Sequence, residues 1–307
     1  MTGLSGKSST ARIPSRSGWI SMRGTCVLSR HTFCPISPEL RACIERCFSG
    51  NADVALFYYS GHGHIDAIGG YLVTPDYSPG DPGVSLADVL TIANNSKCGE
   101  RIIILDSCYS GFMGSVNTAG QDTATIRQGV TILTASRSTE PSMEIDGHGV
   151  FTSLLIEALK GGAADITGRI TAGGIYSYVD KALGPWDQRP IFKTNVARFT
   201  SIRDVNPQVG IGTIRKLCEY FPSQDARMEL DPSFEPTNSP DDKHEVIEPY
   251  AVPANTEIFA DLQKLEGIGL VVPTDEEHMY YAAMRSKGCR LTPMGKQYWR
   301  LVKENKI

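Results

Sequence analysis

Two short, uninterrupted apolar runs dominate the hydrophobic pattern. Val54-Ala55-Leu56-Phe57-Tyr58-Tyr59 ends in Ser60-Gly61-His62-Gly63, and Ile102-Ile103-Ile104-Leu105 ends in Asp106-Ser107-Cys108. Runs of this length, bounded by polar or glycine-rich turns, predict strands buried on both faces. Val130 to Ala135 predicts a third such strand, Tyr71-Leu72-Val73 a brief extended piece, and Arg189 to Lys193 a last strand at an edge, where its proline is tolerated. Around them apolar positions recur at helical spacing. One face carries Leu40, Cys43, Ile44 and Cys47. A second carries Leu86, Val89, Leu90 and Ala93, behind an N-cap at Ser85 with Asp88 at the third helical position. A third, Phe151, Leu154, Leu155, Ala158 and Leu159, stops at Gly161-Gly162, and Thr171 opens a fourth with Ile175, Tyr178, Val179 and Leu183. Strands alternating with helices predict an α/β fold whose mostly parallel sheet is flanked by helices.

The same pattern divides the chain. Residues 1–38 hold five basic residues, no acidic one and no periodicity, which reads as a disordered or atypical leader. The α/β domain is expected over 39–205. Asp231-Pro232, Glu235-Pro236 and Ser239-Pro240-Asp241-Asp242 mark a linker over 206–255. Residues 256–307 predict a small α+β, winged-helix-like module. Its first helix spans Glu257 to Glu266, two extended runs follow at Leu270–Val272 and His278–Tyr281, and a final helix is capped by Thr292 with Pro293 at its first position.

Composition narrows the function classes. The chain has 307 residues, 41% apolar and 21% charged, with a net charge of -4. That balance carries neither a nucleic-acid nor a membrane signature, and no apolar stretch reaches the ~18 residues of a membrane span. Eight scattered cysteines without a CxxC pair predict reduced thiols and a cytoplasmic location. The C-terminal module places Lys287, Arg290, Lys296, Arg300, Lys303 and Lys306 near Tyr298 and Trp299. Asp275-Glu276-Glu277 would repel phosphates, so a regulatory protein partner is expected rather than nucleic acid.

The chemistry sits at the ends of the first two runs. The carboxyl ends of parallel strands are where catalytic groups gather, so His62 and Cys108 are expected at one sheet edge. A cysteine becomes nucleophilic as its thiolate, and a nearby histidine can take the proton. The competing reading is a structural cysteine and a loop histidine that never meet; the strand context of both motifs favours a dyad. Gly61 and Gly63 predict a sharp turn that leaves the imidazole accessible. The N–H groups of Gly63 and Cys108 are candidate donors to an oxyanion. His64 and His148 read as loop residues, and Asp76, Asp81, Asp88, Asp146 and Asp165 as turns and caps.

Tyr-Ser-Gly-His-Gly at 59–63 followed by Asp-Ser-Cys-Tyr-Ser-Gly at 106–111 resembles the caspase-like cysteine peptidases, nearest the bacterial and metacaspase-type members. Thr134-Ala135-Ser136, Glu140, Glu144 and Gly149-Val150-Phe151-Thr152 resemble them as well. The resemblance implies a caspase-like fold with His62 as general base and Cys108 as nucleophile. It implies an S1 pocket containing Asp106, with Ser60 and Ser136, and hence cleavage after Arg or Lys in protein or peptide substrates. It implies no resident metal or cofactor, with calcium activation as a family variation. Two features depart from the family: Tyr109 replaces a second histidine, and the first fifty residues do not match the usual opening strand and helix. The second departure supports the alternative of a non-catalytic scaffold. Arg127, the basic residue of the loop 112–128, is the expected processing site. Arg127→Ala is expected to abolish cutting there, read by intact mass; a chain still cut at the same bond refutes the assignment.

Overall fold

The computed structural model describes residues 11–15, 18–22, 35–107, 116–118, 121–123, 125–135, 144–145, 148–184, 189–240 and 246–307. They separate into two units, Met1–Val205 and Asn206–Ile307.

In the first unit, helix α1 (Ser37–Phe48) leads into strand β1 (Val54–Ser60). A small antiparallel sheet follows, made of β2 (Gly63–Ile65), β3 (Gly70–Ser78) and β4 (Asp81–Ser85). Then come α2 (Leu86–Asn95), β5 (Glu100–Asp106), β6 (Val130–Thr134), α3 (Val150–Glu157), α4 (Ala172–Leu183) and β7 (Ile191–Asn195). The described strands of the main sheet lie in the order β7-β6-β5-β1. β1 and β6 run parallel to β5, and β7 closes one edge antiparallel to β6. This is the mostly parallel, helix-flanked sheet expected, with 191–195 at its edge.

Side chains alternate across each strand, and both faces are covered. Leu56, Ile102, Ile104 and Leu133 pack against Phe151, Leu155, Ile175 and Val179 of α3 and α4. Ala55, Ile103, Leu105 and Ile132 pack against Leu40, Ile44, Val89 and Leu90 of α1 and α2. The helix starts follow from the caps. Ser85 accepts from the Ala87 N–H at 3.2 Å and Thr171 from that of Gly174 at 3.1 Å. α1 lacks a capping side chain of its own; the Asp76 carboxylate of β3 accepts the Ser37 N–H on both oxygens at 3.1 Å.

The second unit corrects the expected linker. Residues 206–255 are not a connector: they supply α5 (Ile211–Arg215), α6 (Leu217–Tyr220) and β8 (Arg227–Glu229), with Leu217, Phe221, Leu230 and Phe234 buried. Of the polar residues that suggested a linker, Asp231 and Glu235 are turn and cap groups. Asp231 accepts from Ser233, Glu235 from Thr237, and the fully buried Asn238 exchanges hydrogen bonds with Ile247. α7 begins earlier than expected, at Pro253, and runs to Gly267. β9 (Val271–Thr274) matches the first extended run. The second, His278–Tyr281, is instead the start of α8 (Met279–Met284), because Met279, Ala282 and Ala283 bury at helical spacing. Strand β10 (Gly288–Leu291) pairs with both β8 and β9, and α9 (Pro293–Lys303) is capped by Thr292 as expected. The leader also differs from expectation, since Ala11–Ser15 pairs antiparallel with Gly18–Met22.

Asp261 of α7 is 7% exposed and gathers Lys216 Nζ at 2.6 Å, the Tyr220 hydroxyl at 2.9 Å and Lys264 Nζ at 3.3 Å. Burial pushes its carboxyl up, but the donors from Lys216, Tyr220 and Lys264 outweigh burial and hold its pKa below the ordinary value. A depressed folded-state pKa stabilises above the unfolded value and loses that contribution as pH falls through the folded one. Asp261→Asn is therefore expected to destabilise the second unit by about 2 kcal/mol at pH 7. The gap from wild type should close below about pH 4, as read by urea unfolding at several pH values; a pH-independent gap refutes the charge-based account.

Candidate active site

The site is set by strand register. β1 and β5 end together, with Ser60 and Asp106 as Cα partners. The Gly61 N–H donates to the Asp106 carbonyl at 3.1 Å, carrying the pairing one residue past β1. His62 follows two residues after Ser60, and Cys108 follows two residues after Asp106 in sequence. Cys108 lies outside the described residues, as do Tyr109 and Ser136.

The His62 turn is fixed by a residue that sequence reasoning left in the apolar run. The Tyr59 hydroxyl reaches the main-chain oxygens of both His62, at 3.0 Å, and Val73, at 2.8 Å. The Val73 N–H donates to the same His62 carbonyl at 3.0 Å. Gly61 is needed for a close approach: a Cβ there would lie 2.7 Å from the Tyr59 oxygen. The turn is therefore tied down from three sides while the residue at 62 stays exposed. His64 occupies β2, not a loop, and its ring lies 6.4 Å from that of Tyr71 and 5.9 Å from that of Tyr77.

Gly63 opens β2 opposite Leu72. Antiparallel pairs alternate between hydrogen-bonded and non-hydrogen-bonded positions. Because the His62–Val73 pair carries the bond, the Gly63 N–H turns away from β3.

Asp106 is 6% exposed, deeper than Ser60, which is exposed. The Thr152 hydroxyl of α3 donates to Asp106 Oδ2 at 2.5 Å. The Tyr58 hydroxyl lies 2.6 Å from the same Thr152 oxygen. Thr152 has one hydroxyl proton and gives it to the carboxylate, so Tyr58 is the donor in the second contact. Burial pushes the Tyr58 phenol above its ordinary value, and the Ser60 hydroxyl, hydrogen-bonded to it, draws it partly back. Asp106 and Ser60 thus belong to one hydroxyl network through Tyr58 and Thr152. Thr152 lies within the segment 149–152 that the family resemblance covers; Tyr58 gave no signal beyond its place in an apolar run.

Arg127 is exposed and held by α2. Its N–H donates to Asn94 Oδ1 at 2.9 Å, and its guanidinium donates to Asn95 Oδ1 at 3.1 Å. The carbonyl of the next residue, Gln128, accepts from the buried Arg101 guanidinium at 2.7 Å. Among the described residues no three His, Cys, Asp or Glu side chains gather as a metal site. No described helix is long and apolar enough to cross a membrane.

A family model described as a caspase domain matches residues 35–197. No curated protein matches the sequence. Among solved structures, a Geobacter sulfurreducens protein is 13% identical, covering 56% of this chain and 78% of its own at a TM-score of 0.40. Caspase-1 from Spodoptera frugiperda is 15% identical, covering 55% of this chain and 71% of its own at a TM-score of 0.37.

The contact at Gly61 gives a measurable coupling. Gly61→Ala is expected to destabilise by about 1–3 kcal/mol through overpacking. In a Tyr59→Phe background the added penalty should be smaller, because the nearest clashing atom is gone. A double-mutant cycle by denaturant unfolding checks this; strict additivity refutes the contact as the reason for glycine.

Proposed function

The chain belongs to the caspase-domain family, and from that premise we propose that it is a cysteine endopeptidase cleaving after Arg or Lys. The observation that carries the reading is the Ser60–Asp106 register, because it supports delivery of both catalytic motifs to one end of the sheet. In this reading His62 takes the Cys108 proton and the thiolate attacks the scissile carbonyl. The tetrahedral oxyanion is met by the N–H groups of Gly63 and Cys108, each contributing about 3 kcal/mol in the transition state. The outward turn of the Gly63 N–H supports that role. Collapse expels the amine, protonated by His62, and leaves a thioester. A water deprotonated by His62 then hydrolyses it and restores the thiol. Asp106, with Ser60 and Ser136, receives the basic side chain at S1 through a charge-assisted pair.

A second reading, a catalytically silent scaffold, is supported by one feature. Among the described residues no strand pairs with β1 on the side away from β5, where an unpaired edge would be exposed. For either reading the second unit is assigned a protein partner rather than nucleic acid. Several of its cations are paired with carboxylates, as in Arg285–Glu276 at 2.8 Å and Lys296–Asp225 at 2.5 Å. Tyr280 and Tyr281 present exposed rings, with Arg285 over Tyr281 at 4.8 Å.

Fluorogenic peptides ending in Arg, Lys or Asp, assayed with and without calcium, test the proposal. Turnover is expected for Arg and Lys only, abolished in Cys108→Ala and reduced roughly a hundredfold on Arg in Asp106→Asn. No turnover, together with no labelling of Cys108 by a peptidyl-Arg electrophile, leaves the scaffold reading.

A further inference from the structure

We propose that Thr152 and Tyr58 are positioning residues that fix the Asp106 carboxylate for recognition of a basic substrate side chain. The proposal rests on Asp106 serving as the S1 acid. Three side chains from three elements form a directed chain: Tyr58 of β1 donates to Thr152 of α3, and Thr152 donates to Asp106 Oδ2 at the end of β5. The direction is forced, since a carboxylate only accepts and a threonine hydroxyl has one proton to give.

A carboxylate that must meet a guanidinium in a fork geometry gains from having its plane fixed beforehand. Otherwise part of the pairing free energy goes into freezing its rotamer on binding. The Thr152 hydroxyl at 2.5 Å supplies that restraint from the helix packed on the sheet. Tyr58 fixes Thr152 in turn. Its phenol is half-buried, and burial disfavours its ionised form, so it stays a donor at neutral pH. A hydroxyl chain also polarises along its length, strengthening the terminal bond. None of the three side chains needs to touch the scissile bond. Their effect therefore falls on substrate affinity and P1 choice, not on the chemical step.

The experiment uses the full chain and a matched pair of peptides with Arg or its neutral analogue citrulline at P1. Thr152→Val keeps the side-chain shape and removes the hydroxyl. It is expected to raise KM for the Arg peptide roughly tenfold with kcat within about twofold, and to leave the citrulline peptide unchanged. Thr152→Ser restores the donor and should return KM close to wild type. Tyr58→Phe removes only the outer link and should raise KM about threefold. A folded Thr152→Val with wild-type KM for Arg overturns the proposal, as does failure of Thr152→Ser to rescue. If Thr152→Val does not fold, an unchanged KM in Tyr58→Phe overturns it instead. Wild type that cleaves both peptides equally removes the S1 assignment of Asp106 itself, and the proposal with it. An Arg preference undiminished in Thr152→Val strikes only the positioning role.

Discussion

The pairing of Ser60 with Asp106 at the shared end of two parallel strands is the constraint on which the candidate site depends. A parallel ladder whose faces are both buried cannot slip by one residue without turning every side chain to the wrong helix layer. Ile102 and Ile104 face α3 and α4, while Ile103 and Leu105 face α1 and α2. A slip would exchange these two sets across layers of different shape. The hydrophobic core therefore fixes the register, and the register fixes where the chain leaves the sheet after Ser60 and after Asp106.

β5 is anchored by polar groups at both of its ends. Near its start, Arg101 is 6% exposed and donates to the carbonyls of Ala93, Cys98, Gly99 and Gln128. Glu100 accepts the Thr200 N–H at 2.7 Å. At its end, Asp106 accepts from Thr152. Buried polar groups are tolerated when they are hydrogen-bonded, and these bonds tie β5 to α2, to the turn before β6 and to α3. A strand buried on both faces and pinned at both ends is a rigid platform, which is what a preorganised site needs.

Legibility in the sequence followed the strength of the periodic signal. The runs 54–59, 102–105 and 130–135 could only be buried strands, and the caps at Ser85, Thr171 and Thr292 stood where local chemistry placed them. Two kinds of residue misled. Proline, aspartate and asparagine over 231–242 have linker composition, yet Asp231, Glu235 and Asn238 spend their polar groups on internal turns, which composition cannot distinguish from solvation. Tyr280 and Tyr281 looked strand-like, but burial of Met279, Ala282 and Ala283 decided for helix, and a helix of that length leaves too short a period to detect. At the candidate site, the places of His62 and Asp106 beside the strand ends were legible because each follows an apolar run. Tyr58, Tyr59 and Thr152 were not, because their hydroxyls act across the fold, on partners that adjacency in sequence does not reveal.

Two tyrosines adjacent in one strand divide the work by the alternation of the pleat. Tyr59 turns toward β3 and ties the main chain of the His62 turn, while Tyr58 turns toward α3 and ties the Thr152–Asp106 pair. Successive side chains of a strand point to opposite faces, so one dipeptide reaches the His62 turn from one side and the Asp106 strand end from the other. The two tethers share no side chain, yet both originate from the last full turn of the same ladder. Anything that shifts β1 along β5 therefore disturbs the His62 turn and Asp106 together, whereas a change in the packing of α3 reaches Asp106 alone. The His62 turn and the Asp106 carboxylate are in this way tied to different layers of one sheet, and a substitution in the α3 layer can move the second without loosening the first.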